Sequence, residues 1–294
     1  MRVFVTGATG FIGSALVPEL LAAGHQVLGL ARTNAGAEAL AAVGAHVHRG
    51  QLEDLESLRS GAAASDAVIH LGFIHDFSKF RENCEVDRRA IETLGSMLAG
   101  SDRPLIVTSG LALLAQGRAA TEDDLPVPVS DRMPRASEHT AAALEKQGVR
   151  SMVVRLPQVH DTFKQGLVSY AVQIAREKGA SAYIGDGKNR WAAVHRSDAA
   201  HLYRLALEKG HAGARFHAIA EEGVAARDIA EAIGRGLKLP VRSLPPEQAA
   251  DHFGWLGLFA GLDLVGSSAQ TRAALGWNPT GPTLLTDLGN MRYS

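Results

Sequence analysis

Cysteine, tyrosine and surplus charge are what this chain of 294 residues has least of. Cys84 is the single cysteine, so no disulfide can close within the chain and no cysteine cluster can hold zinc; a reducing compartment, the cytoplasm, is the expected setting. Thirty Lys and Arg stand against 31 Asp and Glu, a formal net charge of −1, which argues against binding nucleic acid by bulk electrostatics. No apolar run reaches the roughly 18 residues of a membrane span. The longest candidate, 253–266, is broken by glycine and carries Asp263, so no membrane partner is expected. Met1–Val5 runs straight into a glycine-rich turn, and no cleavable leader is expected. Histidine is abundant, at twelve, but no His-Glu-x-x-His pattern or third-ligand spacing accompanies it, and no metal is expected. Aromatics are only 5% of the chain, with four tyrosines, none before residue 170.

What the chain does have is alternation. Apolar, β-rich runs at 3–5, 27–30, 45–48, 67–71 and 104–109 are separated by helical patterns over 11–23, 35–43, 52–63 and 82–99, with Pro18 expected to bend the first helix or mark a start. Residues 116–134 hold Glu122-Asp123-Asp124, Pro126, Pro128 and Pro134, and read as a long loop near the site with its acids solvated. A helix at 137–147 and a strand at 151–156 follow. Beyond about 160 the regularity weakens, with helices at 166–178, 197–208, 225–236, 246–253 and 267–275 around short strands at 183–184 and 216–220. Strands spaced by helices imply right-handed βαβ units. The expected fold is therefore α/β, a doubly wound parallel sheet (Rossmann) with a small C-terminal substrate lobe. Residues 1–160 form the dinucleotide-binding part; 161–294 form mainly the lobe, with some segments returning to the sheet. The apolar stretch 253–264 suits core packing, with a substrate lid as the alternative.

Thr6-Gly7-Ala8-Thr9-Gly10-Phe11-Ile12-Gly13 follows a strand and opens a helix. The first glycine permits a tight turn, the second admits a pyrophosphate to the backbone, and the third lets helix pack on strand, with N–H groups facing the phosphates. The Gly-x-x-Gly-x-x-Gly spacing, together with Ala67–Gly72, Val107–Ser109, Arg155-Leu156-Pro157, Gly185–Gly187 with Val194–Asp198, and Leu275–Pro279, resembles the extended branch of the short-chain dehydrogenase/reductase superfamily, the NAD-dependent epimerase/dehydratase-like proteins, over nearly the whole chain. The resemblance implies cofactor contacts from Thr6, Gly7, Thr9, Gly10, Phe11, Ile12, Gly13, Gln51, Leu52, Leu71, Gly72, Phe73, Thr108, Arg155 and Pro157. It also implies a small-molecule substrate and a homodimer through the helices at 82–99 and 137–147. In the family the segment around His195 lines the substrate cleft. Asn189, Arg190 and Trp191 beside it suit an anionic or aromatic substrate, with packing between lobes as the alternative.

An NAD site wants a carboxylate at the end of the second strand. Here that strand ends Leu30-Ala31-Arg32-Thr33, and Arg32 can face a 2′-phosphate, so NADP(H) is the preferred cofactor and NAD(H) the alternative. Gln51 stands where the resemblance implies an aspartate near the adenine.

For catalysis the resemblance implies a tyrosine proton donor, a lysine four residues later and an orienting Ser or Thr. Ser109 fits the hydroxyl. The pair should open the helix after the proline-rich loop, where the chain reads Met133-Pro134-Arg135-Ala136-Ser137-Glu138-His139. One alignment puts Pro134 and Glu138 in the pair; a shift by one puts Arg135 and His139 there. The chain thus resembles the atypical subset that keeps the cofactor fold and loses the usual acid. His139 and His75 are the leading replacement donors, since histidine exchanges protons near neutrality; His160, Asp161, Tyr170 and Tyr183 are further ones. Three functions stay open: an oxidoreductase of a small carbonyl or alcohol with a non-standard donor, an epimerase or isomerase, and a non-catalytic NADP(H) sensor.

Overall fold

Val3, Phe4 and Val5 have 0% exposure, which a strand attains only when both faces of its sheet are covered. In the computed structural model, which describes residues 1–111, 114, 115, 117–131 and 133–293, these residues lie in the middle of a seven-stranded sheet. Its strands are β1 (Arg2–Thr6), β2 (Gln26–Ala31), β3 (His46–Arg49), β4 (Ala67–His70), β5 (Leu105–Gly110), β6 (Ser151–Leu156) and, later in the chain, Arg215–His217. All neighbours pair in parallel, in the order Arg215–His217, β6, β5, β4, β1, β2, β3. The chain builds outward from β1 to β3, then crosses back to place β4 on the other side of β1. The order reverses between β1 and β4, where a doubly wound sheet leaves a crevice at its carboxyl edge.

Side chains alternate across the sheet. Val3 and Val5 meet one helical layer, formed by α1 (Gly13–Ala22), α2 (Asn34–Ala42) and, from farther along the chain, Arg196–Lys209. Phe4 meets the other, formed by α3 (Leu55–Ala63), α4 (Phe80–Ser96) and α5 (Ser137–Glu145). Helices α4 and α5 approach closely because position 95 is glycine; a Cβ there would stand 2.4 Å from Leu144 Cδ1. Pro18 lies inside α1, on its exposed face.

Beyond β6 the chain makes β7 (Gln158–His160), α6 (Val168–Lys178), β8 (Ser181–Ile184), β9 (Arg190–His195), α7 (Arg196–Lys209), β10 (Arg215–His217), β11 (Glu221–Ala225), α8 (Ala226–Leu237) and β12 (Val241–Leu244). Short helices α9 (Ala249–Phe253), α10 (Gly257–Ala260), α11 (Ala269–Leu275) and α12 (Leu284–Asn290) end it. Strands β11, β9 and β7 form one small sheet and β12 and β8 another. The strand expected at 216–220 is β10, at the edge of the main sheet; β7, β9, β11, β12 and α12 have no counterpart in the sequence reading. Among the described residues no helix is long and apolar enough to cross a membrane.

The acidic loop differs from expectation. Glu122 is 5% exposed, and its Oε1 accepts from Thr271 N (2.8 Å) and Thr271 Oγ1 (2.7 Å). Asp124 pairs with Arg118. Behind it Arg155, with 0% exposure, donates from Nη2 to Asp124 O (2.7 Å) and to Glu138 Oε2 (2.7 Å), and from Nε to Glu138 Oε1 (3.0 Å). Its Nη1 donates to His217 Nε2 (3.1 Å). One guanidinium thus joins β6, α5, β10 and the loop. Unfolding in urea should show Arg155→Met and Glu138→Met each losing about 3–5 kcal/mol, because each strands a buried charge; the double variant should lose less than the two losses added together.

Candidate active site

Each of β1 to β6 ends at one cleft of about 750 Å³. One side of it is built on the glycine turn. Gly7 has φ +66°, and a Cβ on it would lie 2.8 Å from Gly72 N. A Cβ on Gly13 would lie 2.1 Å from Gly7 O, so only glycine lets α1 start this close to β1. Ile12 precedes α1, no side chain caps the helix and no acid sits in its first turn, and the N–H groups of Phe11, Ile12 and Gly13 have no acceptor among the described residues, so they stay open to an anion. Those features fit a dinucleotide pyrophosphate.

Gly7, Thr9, Gly10, Phe11, Ile12, Gly13, Arg32, Gln51, Leu52, Leu71, Gly72, Phe73, Thr108 and Pro157 all line the cleft. Thr6 and Arg155 do not. Arg155 is taken up by Glu138, as described above. Thr6 is buried beneath the turn, where its Oγ1 accepts from Gly72 N (3.1 Å) and lies 2.8 Å from His70 Nδ1. At the end of β2, Arg32 lines the cleft beside Glu53. Arg49, ending β3, donates to Thr33 O (2.6 Å) and Asn34 Oδ1 (2.8 Å), so a second guanidinium borders the loop that follows Arg32.

A buried line of hydrogen bonds runs from the turn to the opposite wall. His70 Nε2 donates to Asp87 Oδ1 (3.2 Å), which leaves Nδ1 to accept from the Thr6 hydroxyl. Ser137 Oγ donates to Asp87 Oδ2 (2.6 Å) and accepts from Arg135 Nε (2.9 Å). Burial alone would raise the Asp87 carboxyl, but the His70 hydrogen bond, the Arg135 charge and Ser137 hold it below its ordinary value. Arg135 Nη2 also donates to Thr108 O (3.0 Å), and its Cζ stands 4.5 Å from the centre of the Phe73 ring.

Ser109, His75 and His139 all line the cleft. Arg135 and His139, four residues apart, face it together, whereas Glu138 turns its carboxylate to Arg155. Burial, then the charges of Lys164 and Arg135, push the His75 imidazole below its ordinary value. Of the four expected substrate residues only Trp191 reaches the cleft. The Asn189 amide donates to Ala260 O (2.9 Å) and Leu262 O (3.1 Å), Arg190 pairs with Asp263 (2.9 Å), and His195 Nδ1 meets Ser197 Oγ (2.7 Å). All three are engaged in local structure. His160 is buried against Asp287 (2.6 Å), and Tyr183 lies off the cleft. Asp161 accepts from Phe163 N and Lys164 N (2.7 and 2.8 Å), a turn that sets Lys164 5.7 Å from the Phe11 ring.

Several cleft residues escaped the sequence reading. Arg135 entered only as a shifted alignment, although its spacing from His139 was its signal. Lys164 carried none. Tyr203, from α7, lies under the site, 2.7 Å from Thr108 Oγ1; burial pushes its phenol up, so it tethers Thr108 and is no ready proton donor. At the mouth, Phe77 stacks on Trp255 (4.9 Å, 23°), and Tyr170 meets Trp255 edge-on (5.1 Å). In the 253–264 stretch, Phe253 and Leu256 pack in the hydrophobic core, and Phe259 and Leu264 line the cleft.

The sequence profile of the NAD dependent epimerase/dehydratase family matches residues 3–219. An uncharacterized protein of Schizosaccharomyces pombe is 47% identical over 296 residues, covering 100% of both chains. An uncharacterized protein of Saccharomyces cerevisiae is 43% identical over 291 residues, covering 98% of each. Among solved structures, a dTDP-glucose 4,6-dehydratase from Streptomyces venezuelae with NAD bound superposes with a TM-score of 0.78 at 20% identity, covering 100% of this chain and 96% of that one.

The cations beside His75 give a direct test. Its proton NMR titration midpoint should lie below the ordinary histidine value of about 6.5. Replacing Lys164 by Gln removes a positive charge, so imidazolium becomes easier to form and the midpoint should rise. An unmoved midpoint would remove Lys164 as a cause.

Proposed function

The chain belongs to the NAD dependent epimerase/dehydratase family, and from that premise we propose that it is an NADP(H)-dependent oxidoreductase interconverting a small carbonyl compound and its alcohol. The observation that carries this reading is the meeting, in one cleft, of the open glycine turn with Ser109 and His139. NAD in the structural neighbour supports a nicotinamide cofactor here. Preference for NADP(H) is supported by Arg32, which ends β2 where an NAD site would carry an acid, and by Arg49 beside the same loop.

The bound cofactor would supply the hydride that reaches the carbonyl carbon. The backbone N–H groups of Phe11, Ile12 and Gly13 would hold its pyrophosphate, and Arg32 would hold the 2′-phosphate. Ser109 donates a hydrogen bond to the carbonyl oxygen and fixes its direction. His139 delivers the proton that converts the developing alkoxide to the alcohol, and takes it back in the reverse direction. His75, whose imidazole is pushed below its ordinary value by burial and by the charges of Lys164 and Arg135, lines the same cleft. The aromatic rings at the mouth limit the access of water to the reacting carbonyl.

Fluorescence titration with NADPH, followed by loss of absorbance with a panel of carbonyl compounds, tests the reading. Tight binding without turnover across the panel would identify a binder instead of an enzyme. Arg32→Asp should lower NADPH affinity about tenfold or more, the scale of one charged hydrogen bond, and leave NADH unharmed; unchanged NADPH affinity would sink the assignment. His139→Ala should cut kcat about 100- to 10,000-fold with little change in NADPH affinity, and full activity in this variant would reject it as donor.

A further inference from the structure

The cations that line the cleft do not share one place. Arg32 stands at the end of β2, where the adenosine half lies, and Lys164 stands over Phe11, beside the first turn of α1. Arg135 is left on the far wall with Ser109 and His139. Its guanidinium is rigidly held: Nε donates to Ser137, Nη2 to Thr108 O, and the Phe73 ring lies against its face. Nη1 has no acceptor among the described residues, so the edge formed by Nη1 and Nη2 is open. Among those residues no carboxylate pairs with Arg135 directly; Asp87 reaches it only through the Ser137 hydroxyl and is already engaged by His70. A half-buried guanidinium with no carboxylate in direct contact among the described residues still has charge to satisfy, and its planar fork matches a carboxylate. Next to it the wall is aromatic. Phe73 meets Phe80 (6.2 Å), and Phe80 meets Phe77 (5.9 Å), which Trp255 backs.

We propose that the substrate is an anionic aryl or conjugated carbonyl compound, with its carboxylate on the open edge of Arg135 and its flat body on the Phe77–Phe80–Tyr170 shelf. This rests on the oxidoreductase reading for the reaction, but not for the binding. Arg135 cannot serve as the acid, since guanidinium keeps its proton throughout. It anchors one end of the substrate while Ser109 and His139 address the carbonyl.

Calorimetry with 4-formylbenzoate, 4-formylcinnamate and phenylglyoxylate, each beside its methyl ester, tests the proposal on the full chain with and without NADP+. At least one acid should bind about tenfold or more tightly than its ester, the scale of a charged hydrogen bond. Arg135→Gln should remove that advantage, weakening the acid about tenfold or more relative to its ester, and Arg135→Lys should restore part of it. Phe77→Ala, which leaves the guanidinium alone, should weaken the aryl acids but not pyruvate. Equal affinity of acid and ester, no binding of either, or an equal loss of both in Arg135→Gln would overturn the proposal. Failure of NADP+ to bind would instead overturn the oxidoreductase reading, and the acid–ester comparison on the cofactor-free protein would still decide this one.

Discussion

The cleft depends on a single buried line of hydrogen bonds, Thr6–His70–Asp87–Ser137–Arg135. It starts at the glycine turn, passes under β4 and α4, and surfaces on the opposite wall. Every member has a partner on each side, which is the condition under which a buried polar network rigidifies a site instead of destabilising it. The turn, the end of β4 and the start of α5 are therefore not independently adjustable. Thr108 joins the same body, donating to His70 O (2.7 Å) and meeting Tyr203 from below.

A second buried device holds the other side. Arg155 and Glu138 lock the loop of residues 117–131 to β6 and α5, and that loop brings Pro126 and Val127 to the cleft. Glu138 and His139 are adjacent on α5 and take opposite tasks because one turns inward to Arg155 and the other stays on the cleft wall. Arg135, just before α5, and His139, in its first turn, both face the cleft.

Much of the sheet was legible in the sequence because its strands are short, apolar on both faces and punctuated by glycine. The same holds for the turn, where Gly7, Gly10 and Gly13 answer local steric demands. The lobe was harder to read. Strands β7, β9, β11 and β12 are three to six residues long and owe their existence to partners far away in the chain. Glu122 looked like a solvated loop acid because nothing local announces Thr271 as its partner. Arg155 matched a family pattern, yet its direction is decided by Glu138, Asp124 and His217 together. The aromatic mouth was equally hidden: Phe77, Tyr170 and Trp255 come from three separate segments, and only folding brings their rings together.

That mouth also makes the molecule its own instrument. Of the three tryptophans, Trp277 is buried in the core with its N–H on Asp198 O (3.0 Å), and Trp191 forms part of the cleft wall. Trp255 is 39% exposed and bridges a ring from the first half of the chain to rings of the second. Its emission colour and quenching are thus tied to the contact between the two sides of the mouth, and with Trp191 and Trp277 replaced by Phe the remaining indole would report that contact without any attached dye.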